Sequence, residues 1–185
     1  MKSASSSEEI HGWSQEPAEL ARLTTRKEGL YRAIVAAAEI APLPGVVQWL
    51  ARLADAGVPC AVASSTHRLN IDAVLTRLGL ENAFSAIISA EDVTHGKPHP
   101  EVFTKAADRL GVARARCVVF EAAHAGIEAA HSAGMKVVAV TPPPAAHALN
   151  AADLVVRQLA QPPHEQLIAL LTGFRSVAHP GGHPH

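Results

Sequence analysis

Four successive helical segments of this sequence end at a glycine, and a short apolar run follows each one. The four glycines are Gly57, Gly79, Gly111 and Gly134. Glycine accepts the left-handed conformation after a helix without a Cβ penalty, so it is the favoured residue at that place. The repeated order of helix, glycine and apolar run predicts a doubly wound α/β domain with right-handed crossovers.

The apolar runs are continuous, as is typical of parallel strands buried on both faces. The predicted strands are 60–63, 86–88, 117–120, 137–140 and 154–156. In such sheets ligands bind at the carboxyl ends of the strands. The residues that directly follow each strand are therefore the candidate site residues.

Composition divides the chain into four parts. Residues 1–15 are rich in Ser and Glu and predict a disordered lead-in. Residues 16–41 have apolar residues at helical spacing, which predicts one helix or two helices divided at Gly29. Residues 42–172 form the predicted α/β domain. Residues 173–185 are a flexible tail rich in His, Pro and Gly, whose histidines are either incidental or loose transition-metal ligands.

Length and charge exclude several classes of protein. A chain of 185 residues can bury one ordinary core. A net charge of −1 argues against a nucleic-acid binder, and no apolar run is long enough to span a membrane. The polar start predicts no secretory signal. Cys60 and Cys117 lie in apolar runs and predict buried thiols in a reducing, cytoplasmic compartment.

Three segments at predicted strand ends carry candidate chemistry. Ser64, Ser65 and Thr66 precede a helix, where hydroxyls and free N–H groups form either an anion site or an N-cap. Lys97 lies on a loop stiffened by Pro98, although a solvated lysine is the alternative. Glu121 ends the third strand, where it either holds a hard cation or caps the following helix.

Taken in order, these segments resemble the haloacid dehalogenase superfamily, in its β-phosphoglucomutase and phosphoglycolate phosphatase branch. The resemblance runs from about Arg26 to Val156 and includes the segment from Gly96 to Phe103. It implies a three-layer Rossmann-like core with a parallel sheet, and 16–41 as the remnant of a helical cap. It also implies Mg²⁺-dependent phosphoryl transfer from small phosphorylated metabolites through an aspartyl-phosphate.

The resemblance also implies roles for individual residues. Ser64 would hydrogen-bond the phosphoryl group with Ser65 beside it, Lys97 would stabilise its charge, and Glu121 would be the first metal-side acid. The nucleophile of the family belongs to an Asp-x-Asp motif on a central strand. The five aspartates of this chain are at least 16 residues apart, so the motif is absent. Ala122 stands where the family has a magnesium-binding aspartate, so weak or lost Mg²⁺ binding is expected.

These losses leave three hypotheses open. The chain is an impaired or inactive phosphatase or phosphomutase, a non-catalytic protein that binds a phosphometabolite or a partner protein, or the C-terminal fragment of a longer active enzyme. A histidine beside the motifs, namely His67, His95 or His124, could substitute as nucleophile or base. The missing central strand would leave a gap, bring its neighbours together or require another segment. An open gap predicts self-association through unpaired edges.

Overall fold

A computed structural model of the chain describes residues 16–141, 151–160 and 164–172. The predicted lead-in 1–15 and the predicted tail 173–185 lie outside the described residues. The helices are α1 (Pro17–Ala37), α2 (Val46–Asp55), α3 (Arg68–Leu78), α4 (Glu101–Leu110), α5 (His124–Ser132) and α6 (His164–Thr172). The strands are β1 (Ala61–Ala63), β2 (Ala86–Ile88), β3 (Val118–Glu121), β4 (Lys136–Val140) and β5 (Leu154–Val156).

The helix ends confirm the glycine prediction. Gly57, Gly79, Gly111 and Gly134 all have left-handed backbones, with φ between 66° and 75°. Of the two alternatives for residues 16–41, the structure has the single helix, because α1 continues through Gly29. A single glycine costs a helix only about 1 kcal/mol. Packing of α1 against α3, with Val35 buried, accounts for the continuous helix.

All strand pairs are parallel, but they fall into two sheets. One sheet contains β1 and β2, and the other has the order β3-β4-β5. Within the described residues, β1 pairs only with β2 and β3 pairs only with β4. Of the three outcomes expected for a missing central strand, the structure therefore has the gap. Self-association through the open edges of β1 and β3 stays a prediction.

Helices cover both faces of the strands, which confirms the three-layer α/β prediction. On one face, α4 packs on β1 and β2, α5 packs on β3 and β4, and the two helices contact each other. Val137 and Ala139 of β4 face this helix layer. Val138 and Val140 face the other layer, where they pack with Trp49 of α2 and Leu167 of α6. The α4–α5 layer thus holds the two sheets together beneath the gap.

Two further sequence predictions concern burial. Cys60 and Cys117 are free thiols, as expected, but they are only partly buried. Burial raises the pKa of both thiols. No described helix is long and apolar enough to cross a membrane.

Asp153 anchors the start of β5 to neighbouring elements. Its carboxylate accepts hydrogen bonds from Lys136 Nζ at 2.7 Å and Val137 N at 2.9 Å, and it lies 3.1 Å from His131 Nε2. Burial raises the pKa of this carboxyl, but the bonds from Lys136, Val137 and His131 outweigh that effect and lower the pKa to about 2. The ionised form is therefore the one that stabilises the fold.

We expect Asp153→Asn to lower the free energy of unfolding at pH 7 by about 1–2 kcal/mol. The folded-state pKa lies below the unfolded value of about 3.9, so this stabilisation is present above pH 4 and is lost as the pH falls toward 2. Urea unfolding at pH 7 and pH 3 measures it. Asp55→Asn, at the exposed end of α2, serves as the control. An equal loss at both pH values would mean that Asp153 acts through packing and not through charge.

Candidate functional site

The segment after β1 is shaped by a short local turn. Ser64 N donates to the carbonyl of Ile88 at 2.9 Å, and Ser64 Oγ accepts a hydrogen bond from Thr66 N at 3.1 Å. The next helix, α3, begins only at Arg68. The alternative interpretation of 64–66 as an N-cap is therefore wrong. Ser64 is half-buried and Ser65 is exposed at this strand end.

Lys97 lies between the two sheets. Its Nζ donates to the carbonyl of Ala63, at the end of β1, over 3.3 Å and forms a short ion pair with Glu121, at the end of β3. The ammonium also lies 4.7 Å from the centre of the Phe103 ring. Only 15% of the Lys97 side chain is exposed, so the alternative of a solvated lysine is wrong. Lys97 therefore joins β1 and β3 across the gap.

Glu121 is engaged at both carboxylate oxygens. Oε1 pairs with Lys97, and Oε2 accepts hydrogen bonds from Ala122 N at 2.8 Å and Ala123 N at 3.1 Å. Gly126 allows this arrangement, since a Cβ there would lie 2.2 Å from the Glu121 carboxyl carbon. Glu121 thus holds the backbone that leads into α5, which agrees with the capping interpretation of the sequence.

The side chains around Glu121 do not provide the ligands that a magnesium ion requires. Mg²⁺ requires near-octahedral oxygen coordination. Here a single carboxylate, paired with the Lys97 ammonium, lies next to Ala122 and Ala123, whose side chains offer no oxygen. Among the described residues, Glu121 belongs to no group of three or more side chains that could hold an ion. Its role as a metal ligand stays a prediction.

No aspartate reaches this site. All five lie in described parts of the chain, and none bonds to Ser64 or Lys97. Four of them pair with other residues: Asp72 with Arg68, Asp92 with Ser89, Asp108 with Arg114, and Asp153 with Lys136. The fifth, Asp55, is the last residue of α2. The structure therefore joins Lys97 to Glu121 and to the carbonyl of Ala63, which precedes Ser64, without an aspartate.

The three histidines beside the motifs make no hydrogen bond to Lys97 in the described structure. His67 pairs with Glu91 at 3.1 Å, and His95 lies 3.3 Å from Glu101. His124 is the exposed first residue of α5. None of them hydrogen-bonds to Ser64 or Lys97 in the described structure. No contact therefore supports the hypothesis that one of these histidines replaces the missing nucleophile.

Glu101, for which the sequence predicted no role, anchors the loop that carries Lys97. Its carboxylate accepts hydrogen bonds from Thr94 N at 3.0 Å and His95 N at 2.9 Å, and it pairs with Lys105 at 2.7 Å. The Lys105 ammonium and the two backbone N–H groups lower the pKa of Glu101 to about 2. The sequence signal for this role is an acidic residue at the first position of a helix, directly after Pro100.

Comparison with known proteins identifies the family. The family profile described as haloacid dehalogenase-like hydrolase matches residues 6–140. The chain belongs to this family of hydrolases, and within it to the phosphoglucomutase and phosphatase branch.

Curated relatives include phosphatases and a mutase. A chloroplastic 5-amino-6-(5-phospho-D-ribitylamino)uracil phosphatase from Arabidopsis thaliana is 35% identical, over 86% of this chain and 42% of its own length. Fructose-1-phosphate phosphatase from Escherichia coli is 38% identical, over 71% of this chain and 67% of its own. β-Phosphoglucomutase from Bacillus subtilis is 36% identical, over 76% and 61%. The chain spans about half the length of the curated relatives it matches.

Solved structures share the fold. A β-phosphoglucomutase from Clostridium difficile superposes with a TM-score of 0.76 at 28% identity, covering 89% of this chain and 71% of that one. A hydrolase of the same superfamily from Entamoeba histolytica reaches a TM-score of 0.79 at 24% identity, covering 89% and 76%. These likenesses confirm the predicted fold class.

Proposed function

We propose that this chain binds small phosphate monoesters through Ser64, Ser65 and Lys97, without a metal ion, and that it transfers the phosphoryl group poorly or not at all. The observation that carries the proposal is the mostly buried Lys97 ammonium, which bonds to the carbonyl of Ala63, the residue before Ser64, and has no aspartate among its partners. Family membership supports the substrate class, because the relatives include phosphatases of small phosphorylated metabolites.

The number of donors at Lys97 supports phosphate binding. An ammonium group has three N–H donors. Ala63 and Glu121 accept from two of them, which leaves one for a ligand. Ser65 is exposed next to Ser64 and adds a hydroxyl and a backbone N–H. Ala122, in place of the aspartate of the family, reduces the negative charge that a phosphate would meet.

Poor catalysis follows from the missing carboxylates. A carboxylate nucleophile divides the transfer into two easier steps, and a second acid moves the proton. Ser64, Lys97 and Glu121 provide neither group, because Glu121 is held by Lys97 and by two backbone N–H groups. This chain can therefore position a phosphate without attacking it.

The alternative is a fragment of a longer active phosphatase, in which a further strand fills the gap between β1 and β3. The gap itself and the partial coverage of the relatives favour it. Ala122 disfavours it, since a full-length enzyme would still lack that acid. An Asp-x-Asp strand in the upstream coding frame would support this alternative.

Calorimetry with inorganic phosphate and fructose 1-phosphate in EDTA tests the proposal. We expect binding by the unaltered chain and at least about a tenfold loss in Lys97→Met, since a charge-assisted hydrogen bond contributes about 1.5–3 kcal/mol. Lys27→Met, on exposed α1, should bind like the unaltered chain. Turnover of p-nitrophenyl phosphate should be equally low for all three proteins, with or without Mg²⁺. Absence of binding at millimolar ligand, or Mg²⁺-dependent turnover that Lys97→Met abolishes, would contradict the proposal.

A further inference from the structure

A cluster of two imidazoles and one carboxylate lies on the loop that carries Lys97. One ligand atom each from His95, His99 and Glu101 lies within 4.8 Å of the others. The two imidazole rings are 4.6 Å apart at their centres and tilted by 36°, and His95 Nδ1 is 3.3 Å from Glu101 Oε2. Within the described residues, this is the one such group of three.

The donor types select a class of ion. Two imidazole nitrogens and one carboxylate oxygen suit borderline transition metals, whereas Mg²⁺ prefers oxygen ligands alone. Zn²⁺ binds His nitrogen and carboxylate oxygen at about 2.0–2.2 Å in a tetrahedron, which places neighbouring ligand atoms about 3.3 Å apart. The exposed His95 and His99 need only side-chain rotation to close from 4.8 Å to that separation. Three protein ligands would leave the fourth position for water.

The loop presents these donors in a prearranged way. Hydrogen bonds from Thr94 N and His95 N, and the ion pair with Lys105, hold the Glu101 carboxylate in place. A carboxylate has about four lone-pair sites, so an oxygen that accepts an N–H can still bind a metal ion. Pro98 and Pro100 on either side of His99 restrict the backbone, which reduces the entropy lost when an ion is bound.

Two other histidines provide a comparison within the same chain. His67 faces Glu91 at 3.1 Å, and His131 faces Asp153 at 3.1 Å. Each is one imidazole beside one carboxylate, and neither pair belongs to a described group of three metal-ligating side chains. Their affinity for a metal ion is that of an ordinary surface histidine–carboxylate pair, and the affinity of the cluster can be compared with it.

We propose that His95, His99 and Glu101 form a binding site for a divalent transition-metal ion of the zinc type. The site is separate from the phosphate site proposed at Ser64 and Lys97, because none of its three side chains bonds to either residue. Its occupancy does not depend on whether the chain is catalytic.

Titration of the full chain with Zn²⁺ and Co²⁺ tests this site. Every protein carries His179→Ala, His183→Ala and His185→Ala, so that tail histidines do not contribute. We expect one ion bound per chain, visible Co²⁺ absorption typical of tetrahedral nitrogen and oxygen ligands, and no competition from millimolar Mg²⁺. In the same background, His95→Ala and His99→Ala should each weaken binding at least about tenfold.

Control variants make the outcome decisive. His67→Ala and His131→Ala should bind like the parent protein, because each removes a histidine from a pair and not from the cluster. Equal binding in His95→Ala and the parent, an equal loss in His67→Ala, or no bound ion at 100-fold excess Zn²⁺ would each overturn the proposal. Phosphate binding, measured in parallel in His95→Ala, should be unchanged, so failure here is distinguishable from failure of the proposed function.

Discussion

Gly45→Ala is expected to lower the free energy of unfolding by about 3 kcal/mol, a large effect for the addition of one methyl group. Gly45 precedes α2 with φ +92°, where an L side chain is strained by about 1–2 kcal/mol. Its added Cβ would lie 2.2 Å from Leu159 C and 2.2 Å from Ala160 N. These are backbone atoms and cannot swing aside, so overpacking adds about 1–3 kcal/mol.

The close approach at Gly45 matters because it joins α2 to the chain after β5. Trp49, one turn into α2, donates its indole N–H to the same Leu159 carbonyl at 3.0 Å. Trp49 is buried against Val138 and Val140 of the central strand β4. Moving the 159–160 backbone would therefore also disturb this hydrogen bond and the packing of one whole helix layer.

Gly57→Ala is the matched control for Gly45→Ala. Gly57 also has a positive φ, of 66°, but a Cβ added there would face open space, with no neighbouring group within 4 Å. We expect a loss of only about 1 kcal/mol, from backbone strain alone. Urea unfolding followed by circular dichroism measures both variants. Equal losses would mean that the contact with 159–160 does not stabilise the fold.

The second large effect is expected at the ion pair between Lys97 and Glu121. Removing one partner leaves a mostly buried charge without its counter-ion, which costs about 3–5 kcal/mol in a fully buried pair. The side chains are 15% and 14% exposed, so we expect about 2–3 kcal/mol for Lys97→Met or Glu121→Gln. The double variant should be more stable than the sum of the two losses predicts, because it leaves neither charge unpaired.

A double-mutant cycle by urea unfolding at pH 7 measures this coupling. The exposed pair of Arg68 and Asp72 is the control, with an expected coupling of only a few tenths of a kcal/mol, about 0.3–0.5. A coupling at Lys97 and Glu121 no larger than that would contradict the role of Lys97 as the link between the two sheets. Glu121→Gln should also strengthen phosphate binding, because it frees Lys97 from its counter-ion.

Local patterns were sufficient to predict most of the fold. The predicted strands 86–88 and 154–156 agree with β2 and β5, and the other three predictions agree with their strands to within one residue at each end. These elements depend on short apolar runs and on glycine at helix ends, which act within a few residues of chain. Local patterns left open whether a helix is divided at Gly29, and the packing of α1 against α3 outweighs the weak helix propensity of that glycine.

The residues of the candidate site could be named from the sequence, but the contacts between their side chains could not. Ser64, Lys97 and Glu121 could be identified from their motifs, and the lack of an Asp-x-Asp motif was evident from the residues alone. The motifs could not decide between a solvated and a paired Lys97, or between a metal ligand and a cap at Glu121. Those alternatives depend on which side chains meet, and Lys97 and Glu121 are 24 residues apart.

The sequence by itself determined the alternation of helices and strands, the parallel pairing of the strands, and the absence of an Asp-x-Asp motif. Those properties depend on backbone preferences, apolar patterning and residue identity, and all of these are local. Only the tertiary structure decided that the strands form two sheets, that Lys97 pairs with Glu121 across the gap, and that His95 and His99 lie beside Glu101. These depend on backbone pairing and packing, which bring together groups whose distances no sequence spacing specifies.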